Sequence, residues 1–184
     1  MKLIAAQGNF CVNKGLTFTC LSMLDAMKRS VEREFWGYAF APDSRRSYTH
    51  AMLPDPVLRA MVRLGAKDEA LSRVLARRVA GSARPGDIVW TWPYARPEMQ
   101  AHLRSRGVVT VLERVNTCVR MFRRCVRRAY ESLGWQVSDT WTDRGLKMED
   151  ALIASSEFVF APNAFVAESL LEIGVDESRI LRTS

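Results

Sequence analysis

Residues 85–113 read PGDIVWTWPYARPEMQAHLRSRGVVTVLE. Pro85-Gly86-Asp87 is turn chemistry, and Ile88, Val89, Trp90, Thr91 and Trp92 follow as a run of strand-prone residues. Pro93 to Pro97 break that run. A helix is predicted from Glu98 to Arg106, closed by Gly107, the residue type that accepts a left-handed helix end. Val108 to Leu112 form a second apolar run. Neither run alternates with polar residues, so both strands are expected to be covered on both faces. Strand, crossover helix, strand with that pattern is a βαβ unit of a parallel sheet, and such sheets place ligands at the carboxyl ends of their strands. Those ends are Trp92-Pro93-Tyr94 and Glu113-Arg114-Val115-Asn116. The expected fold class is α/β, a Rossmann-like three-layer αβα sandwich with a mostly parallel sheet.

Toward the N-terminus, Lys2 to Ala6 reads as a first strand, Gln7 to Gly15 as a loop and Thr17 to Arg29 as a helix. A strand feeding a Gly-containing loop and a helix start is a natural anion cradle, because the first-turn N–H groups are free. No GxGxxG or Walker pattern is present, so a plain βα turn is the other reading. Phe35 to Phe40 is a second strand, Ala41 to Pro56 a long irregular loop, and Val57–Leu64 and Lys67–Ala80 are two helices parted by Gly65.

Toward the C-terminus, Thr117 to Leu133 has the clearest helical period. Cys118, Met121, Phe122, Cys125, Ala129 and Leu133 lie on one side, and Arg120, Arg123, Arg124, Arg127 and Arg128 crowd the other. Its apolar side is expected in the core and its arginines in solvent. Trp135 to Asp143 reads as irregular, Gly145 to Ser155 as a helix and Phe158-Val159-Phe160 as a strand. Asn163 then caps a helix to Ile173, and Arg179-Ile180-Leu181 is a last short strand.

The 184 residues suffice for one well-buried domain. No apolar run approaches the roughly 20 residues that span a bilayer. MKLIAAQGNFC lacks a signal-peptide core, and the expected location is the cytoplasm. Cysteines at 11, 20, 118 and 125 form no CxxC pair, and His50 and His102 stand apart, so no metal site is expected. All four thiols read as core residues. The net charge of +7, most of it arginine, points to an anionic partner: phosphorylated substrate, membrane surface or nucleic acid. Nucleic acid ranks last, for want of an aromatic-basic RNP pattern or a helix-turn-helix.

From Glu149 the chain reads EDALIASSEFVFAPNAFVAESLLEIGVDESRILRTS. This resembles the end of the N-terminal domain in retaining glycosyltransferases of the GT-B fold, family four: an acidic helix, a short strand ending in Ala-Pro-Ser, a helix, then Gly-Val and a strand. Asn163 stands where that serine usually does, a swap between two N-capping residues. Gly15, Leu21 and Leu24 also match the first loop and helix. The resemblance implies that residues 1–184 are a single Rossmann-like, acceptor-side domain whose C-terminal donor domain is absent. It implies a hexosyltransferase that moves a sugar from a nucleotide-sugar co-substrate to a sugar or lipid-linked acceptor, with no metal and no other cofactor. The fragment alone is expected to be inactive. The alternative is a non-catalytic α/β module that binds an anionic ligand or a membrane surface.

Candidate residues follow. Glu113 stands at the cleft edge where many relatives carry histidine; it either orients or deprotonates an acceptor hydroxyl, or pairs with Arg114. Asn13, Lys14 and Gly15 match the loop that approaches the donor phosphates and the acceptor in the family. Trp92 stacks on a sugar face or packs in the core with Trp90. Asn116 hydrogen-bonds a sugar or caps the following helix. Arg120, Arg123, Arg124, Arg127 and Arg128 contact an anion or the inner face of a membrane through charge, or form a solvated face.

Overall fold

The computed structural model of the chain describes residues 1–65, 68–92, 95–136 and 142–183. The sequence readings of Lys67, of Pro93 and Tyr94 as a strand end, and of 137–141 within the irregular stretch fall outside the described residues.

The decisive stretch folds as the pattern requires. β4 (Ile88–Thr91), α4 (Pro97–Ser105) and β5 (Val109–Glu113) form a βαβ unit, and β4 and β5 are parallel neighbours. Gly107 has φ 72°, the conformation that closes α4: its N–H donates to the Arg104 carbonyl and that of Val108 to Leu103. Asp87 fixes the start of the unit. One carboxylate oxygen accepts from the Lys2 N–H (2.8 Å) and the other from the Arg84 N–H (3.0 Å), which holds β1 (Lys2–Cys11) level with β4.

Outward from this unit run β2 (Glu32–Phe40) and β3 (Thr49–Ala51) on one side, and β6 (Phe158–Ala161) and β7 (Ile180–Arg182) on the other. The seven strands lie in the order β3-β2-β1-β4-β5-β6-β7, and every pairing is parallel. This is a doubly wound, Rossmann-like α/β sheet. α1 (Gly15–Ala26) packs over Leu3, Ala5, Phe35 and Trp90 on one face. α2 (Asp55–Arg63), α3 (Asp68–Ser82) and α4 pack over Ile4, Ala6 and Val89 on the other. A third apolar cluster joins α6 (Asp143–Ser155) and α7 (Ala164–Glu172) to Leu112 and Val159.

Three expectations are corrected. Gln7 to Cys11 is strand, not loop: β1 passes a register shift between Gln7 and Phe10 and then pairs Phe10 with Ala39 and Cys11 with Phe40. The Gly8-Asn9 pair, read as part of that loop, is a bulge. Within 41–56 the chain makes a 3-10 turn, Pro42–Ser44, and the short edge strand β3.

The third correction concerns α5 (Val119–Ser132), which begins two residues later than predicted. Val119 and Met121 are buried, but Phe122 (45% exposed), Cys125, Tyr130 and Leu133 (61%) face solvent. The arginine side leans on its neighbours instead. Arg120 pairs with Asp150 of α6, and Arg124 donates to both carboxylate oxygens of Glu172 on α7 at 3.0 and 2.8 Å. Arg127 and Arg128 are exposed. No described helix is long and apolar enough to cross a membrane.

Asn163 caps α7 as read, its side-chain oxygen accepting from the Val166 N–H at 2.9 Å. Asn163→Ala should lower unfolding free energy by about 1 kcal/mol and Asn163→Ser by a few tenths at most. Urea denaturation of the two variants beside the parent chain checks this.

Candidate functional site at the strand carboxyl ends

The register of the central strands builds the site. Ala6 lies opposite Thr91, and Thr91 opposite Leu112. One step further, Gln7, Trp92 and Glu113 stand side by side, flanked by Gly37 on β2 and Phe160 on β6. Neighbouring strands are about 4.8 Å apart, so this is a continuous row across the sheet near its carboxyl edge. All three central side chains lie under α1 and are almost fully buried: Gln7 0%, Trp92 1% and Glu113 4% exposed.

Such burial needs hydrogen bonds, and the row has too few. Gln7 Oε1 accepts from Thr17 Oγ1 at 3.1 Å, while Cys11 Sγ lies 3.8 Å away. Gln7 Nε2 and Trp92 Nε1 have no partner among the described residues. A buried donor left unpaired costs about 1–3 kcal/mol, so two in one row mark a place where a polar group is wanted. The row is also tight at its β2 end, where a Cβ on Gly37 would meet Cys11 Sγ at 2.6 Å.

Glu113 does not pair with Arg114. Its Oε2 accepts from the Trp90 indole N–H at 3.0 Å, and Trp90 in turn packs on Trp92 (ring centroids 5.2 Å apart) and Phe160 (6.1 Å). Burial pushes the carboxyl up from 4.5 to about 7, against the lowering effect of the Trp90 hydrogen bond. The same burial pushes the Cys20 thiol well above its ordinary value, reinforced by Cys11 and Glu113, which places α1 directly over the row. The carboxyl is therefore poised to hold or release a proton near neutral pH.

Arg114 turns away to α6, where Glu149 accepts from it and also from the Val119 N–H at 2.9 Å. Ser169 Oγ accepts from the Cys118 N–H at 3.0 Å. The start of α5 is thus capped by α6 and α7. Asn116 is not its cap and is exposed on the rim.

Beside the row, α1 opens with Lys14 at the N-cap position, and no side chain caps it. Gly15 has φ 51°, and a Cβ built there would meet nothing within 4 Å. Asn13 is half-buried and Lys14 exposed. An uncapped helix start facing open space, with no acidic residue in its first turn, keeps its N–H groups available to an anion.

The site thus brings together Glu113, Trp92 and the Asn13-Lys14-Gly15 loop. The arginines of α5 lie apart, over α6 and α7. Trp92 offers no face for stacking; core packing with Trp90 is its place. Gln7, Thr17 and Cys20 were missed by sequence reading. Carrying β1 through the bulge would have found Gln7, which lies two residues beyond Ala5 on the same side of the strand. No group of three or more His, Cys, Asp or Glu able to hold a metal occurs among the described residues.

No family model matches the chain, and no curated protein matches it. Among solved structures it is similar to a crystal structure of UDP-N-acetylglucosamine 2-epimerase, with a TM-score of 0.56 and 12% identity over all of this chain. The chain spans 48% of that structure's length. At that identity the likeness shows the fold, and it agrees with the doubly wound sheet.

The raised Glu113 carboxyl has a consequence for stability. Its folded value exceeds its unfolded one, so its contribution is complete below about 4.5 and is lost as pH rises through about 7. Relative to Glu113→Gln, the parent chain should lose about 2–3 kcal/mol between pH 4.5 and pH 8. Urea unfolding of both proteins across that range tests it, and parallel curves would show a carboxyl that titrates normally.

Proposed function

We propose that the chain is the acceptor-side half of a two-domain glycosyltransferase of the GT-B type that takes its sugar from a nucleotide-sugar. The observation that carries the reading is the row at the carboxyl edge of the sheet: a buried carboxyl held near neutrality beside an uncapped helix start, where the connections leaving the neighbouring strands β1 and β4 pass to opposite faces of the sheet. The fold likeness to an enzyme named for a UDP-sugar, of which the chain spans about half, supports it.

In this reading Glu113 exchanges a proton with the acceptor hydroxyl, directly or through one bound water. Asn13, Lys14 and Gly15 face the donor phosphates, Asn116 hydrogen-bonds a sugar at the rim, and Trp92 positions Glu113 through Trp90 rather than touching substrate. The nucleotide-sugar is a co-substrate, and no metal or further cofactor is invoked. The second domain supplies the donor pocket, so residues 1–184 alone transfer nothing. The deciding assay incubates the two-domain protein with a panel of nucleotide-sugars and follows transfer and donor hydrolysis. Turnover is expected, and Glu113→Gln should lower kcat by about 10²-fold or more while leaving donor binding within a few-fold. Failure of the folded two-domain protein to turn over any donor overturns the proposal.

A second reading is favoured by the outward apolar side of α5. Phe122, Leu133 and Trp135 (64% exposed), with Arg127 and Arg128 also exposed on this helix, suit peripheral contact with an anionic membrane at its cytoplasmic face. Here the apolar side chains enter the interface and the arginines supply attraction, whereas the sequence reading had charge alone. The chain should pellet with phosphatidylglycerol vesicles and far less with phosphatidylcholine. Replacing Phe122, Leu133 and Trp135 by Ser should cut pelleting several-fold, as should Arg127→Ser with Arg128→Ser. Unchanged pelleting in both variants dismisses this contact.

A further inference from the structure

On the face opposite α1, well away from the row, α3 and α4 lie side by side and leave a groove of about 490 Å³. Its floor is Ala76, Ala80, Gly81 and Met99. Arg73, Arg77, Arg96 and Arg106 stand around it, with His102 and Glu98.

The rim is only partly neutralised. Glu69 accepts from Arg73 (2.9 Å) and Arg96 (3.5 Å), and Glu98 lies 3.3 Å from Arg96. Arg106 is held in place by donating to the carbonyls of Ala80 and Ala83 at the end of α3 and has no carboxylate beside it among the described residues. Arg77 is exposed and has no partner among the described residues. Among the described residues, two of the four cations therefore have no carboxylate beside them, over an apolar floor.

Gly81 keeps the groove open. Glycine is the poorest helix residue after proline, yet it sits near the end of α3 with ordinary helical backbone. A Cβ built there meets no atom within 4 Å. The space above it is empty because no side chain projects into it, not because the fold forbids one.

From this we propose that the α3–α4 groove is a binding site for a small amphiphilic anion, an acyl or aryl body carrying a carboxylate, sulfonate or phosphate. The apolar body lies on Ala76, Ala80, Gly81 and Met99, and the anionic head meets Arg77 and Arg106. The arginine rim over an apolar floor selects the occupant. The volume is that of a small-ligand site. A flat bilayer surface does not enter a groove recessed between two helices. A second copy of this chain, with its net charge of +7, would bring arginine rim against arginine rim.

Amide NMR of the 15N-labelled chain, titrated with laurate below its micelle concentration, tests the site. Saturable shifts are expected at residues 76–81 and 99–102. Gly81→Phe, which fills the floor, should weaken binding about tenfold or more, and Gly81→Ala should leave it within about twofold. Arg77→Glu, on the exposed rim, should weaken it about tenfold and narrow the gap to dodecyltrimethylammonium, the cationic counterpart. Circular dichroism checks that Gly81→Phe stays folded; should it not, Arg77→Glu decides. Absence of saturable shifts, shifts confined to other residues, equal binding of the cationic amphiphile, or affinity indifferent to the folded variants overturns the proposal. So does a response of these amides to phosphatidylglycerol vesicles without one to monomeric laurate.

Discussion

The parallel register of β1, β4 and β5 is the constraint on which the cleft edge depends. Asp87 sets it at the amino end by accepting from the backbone of Lys2 and Arg84. Once Leu3 is level with Ile88 and Ile88 with Val109, the positions of Gln7, Trp92 and Glu113 are determined. A one-residue slip of any of the three would turn its side chains to the other face of the sheet. Fifteen or more ångströms of strand thus separate the residue that fixes the register from the residues that use it, at about 3.3 Å per residue.

The row also places two unpaired donors side by side under α1. Several of the sheet's other buried polar groups find partners: Thr91 Oγ1 donates to the Val111 carbonyl, Thr110 Oγ1 accepts from the Glu157 N–H, and Ser169 caps Cys118, although Gln100 Oε1 on the opposite face is also unpaired among the described residues. What sets the row apart is that its unpaired indole and amide donors stand beside a desolvated carboxyl, a joint departure from the rule that buried polar groups are bonded. Sites that break a packing rule without a structural return are where function is sought first.

What the sequence made legible follows from how local each signal is. The β4–α4–β5 unit rests on contiguous apolar runs, a proline break and Gly107, and all of these act within a few residues. The Asn163 cap is likewise a contact with Val166, three residues away. The misread features are long-range. Gly8 and Asn9 look like loop from composition, and only pairing with β2 holds them in a bulged strand. The start of α5 is set by Glu149 and Ser169, 30 and 51 residues distant, so no local cap marked it. The apolar period of α5 was read correctly as a period, but which side meets the protein was decided by Asp150 and Glu172, acidic residues on helices that come later. Periodicity reports that a helix has two faces; it does not say which one the fold will use.

The same reasoning explains why the place of Glu113 at the strand end was readable and its partner was not. Its position at the end of an apolar strand is readable, and Arg114 is the nearest cation in sequence. In a strand, however, adjacent side chains point to opposite faces. Glu113 therefore enters the α1 layer and meets Trp90, while Arg114 leaves the strand toward α6 and meets Glu149. A carboxylate paired with a guanidinium is held in its charged form, whereas one indole N–H offsets only part of the desolvation. This separation of two neighbours in sequence gives Glu113 a proton affinity near neutrality, and hence makes it a carboxyl able to take part in proton transfer rather than a fixed charge.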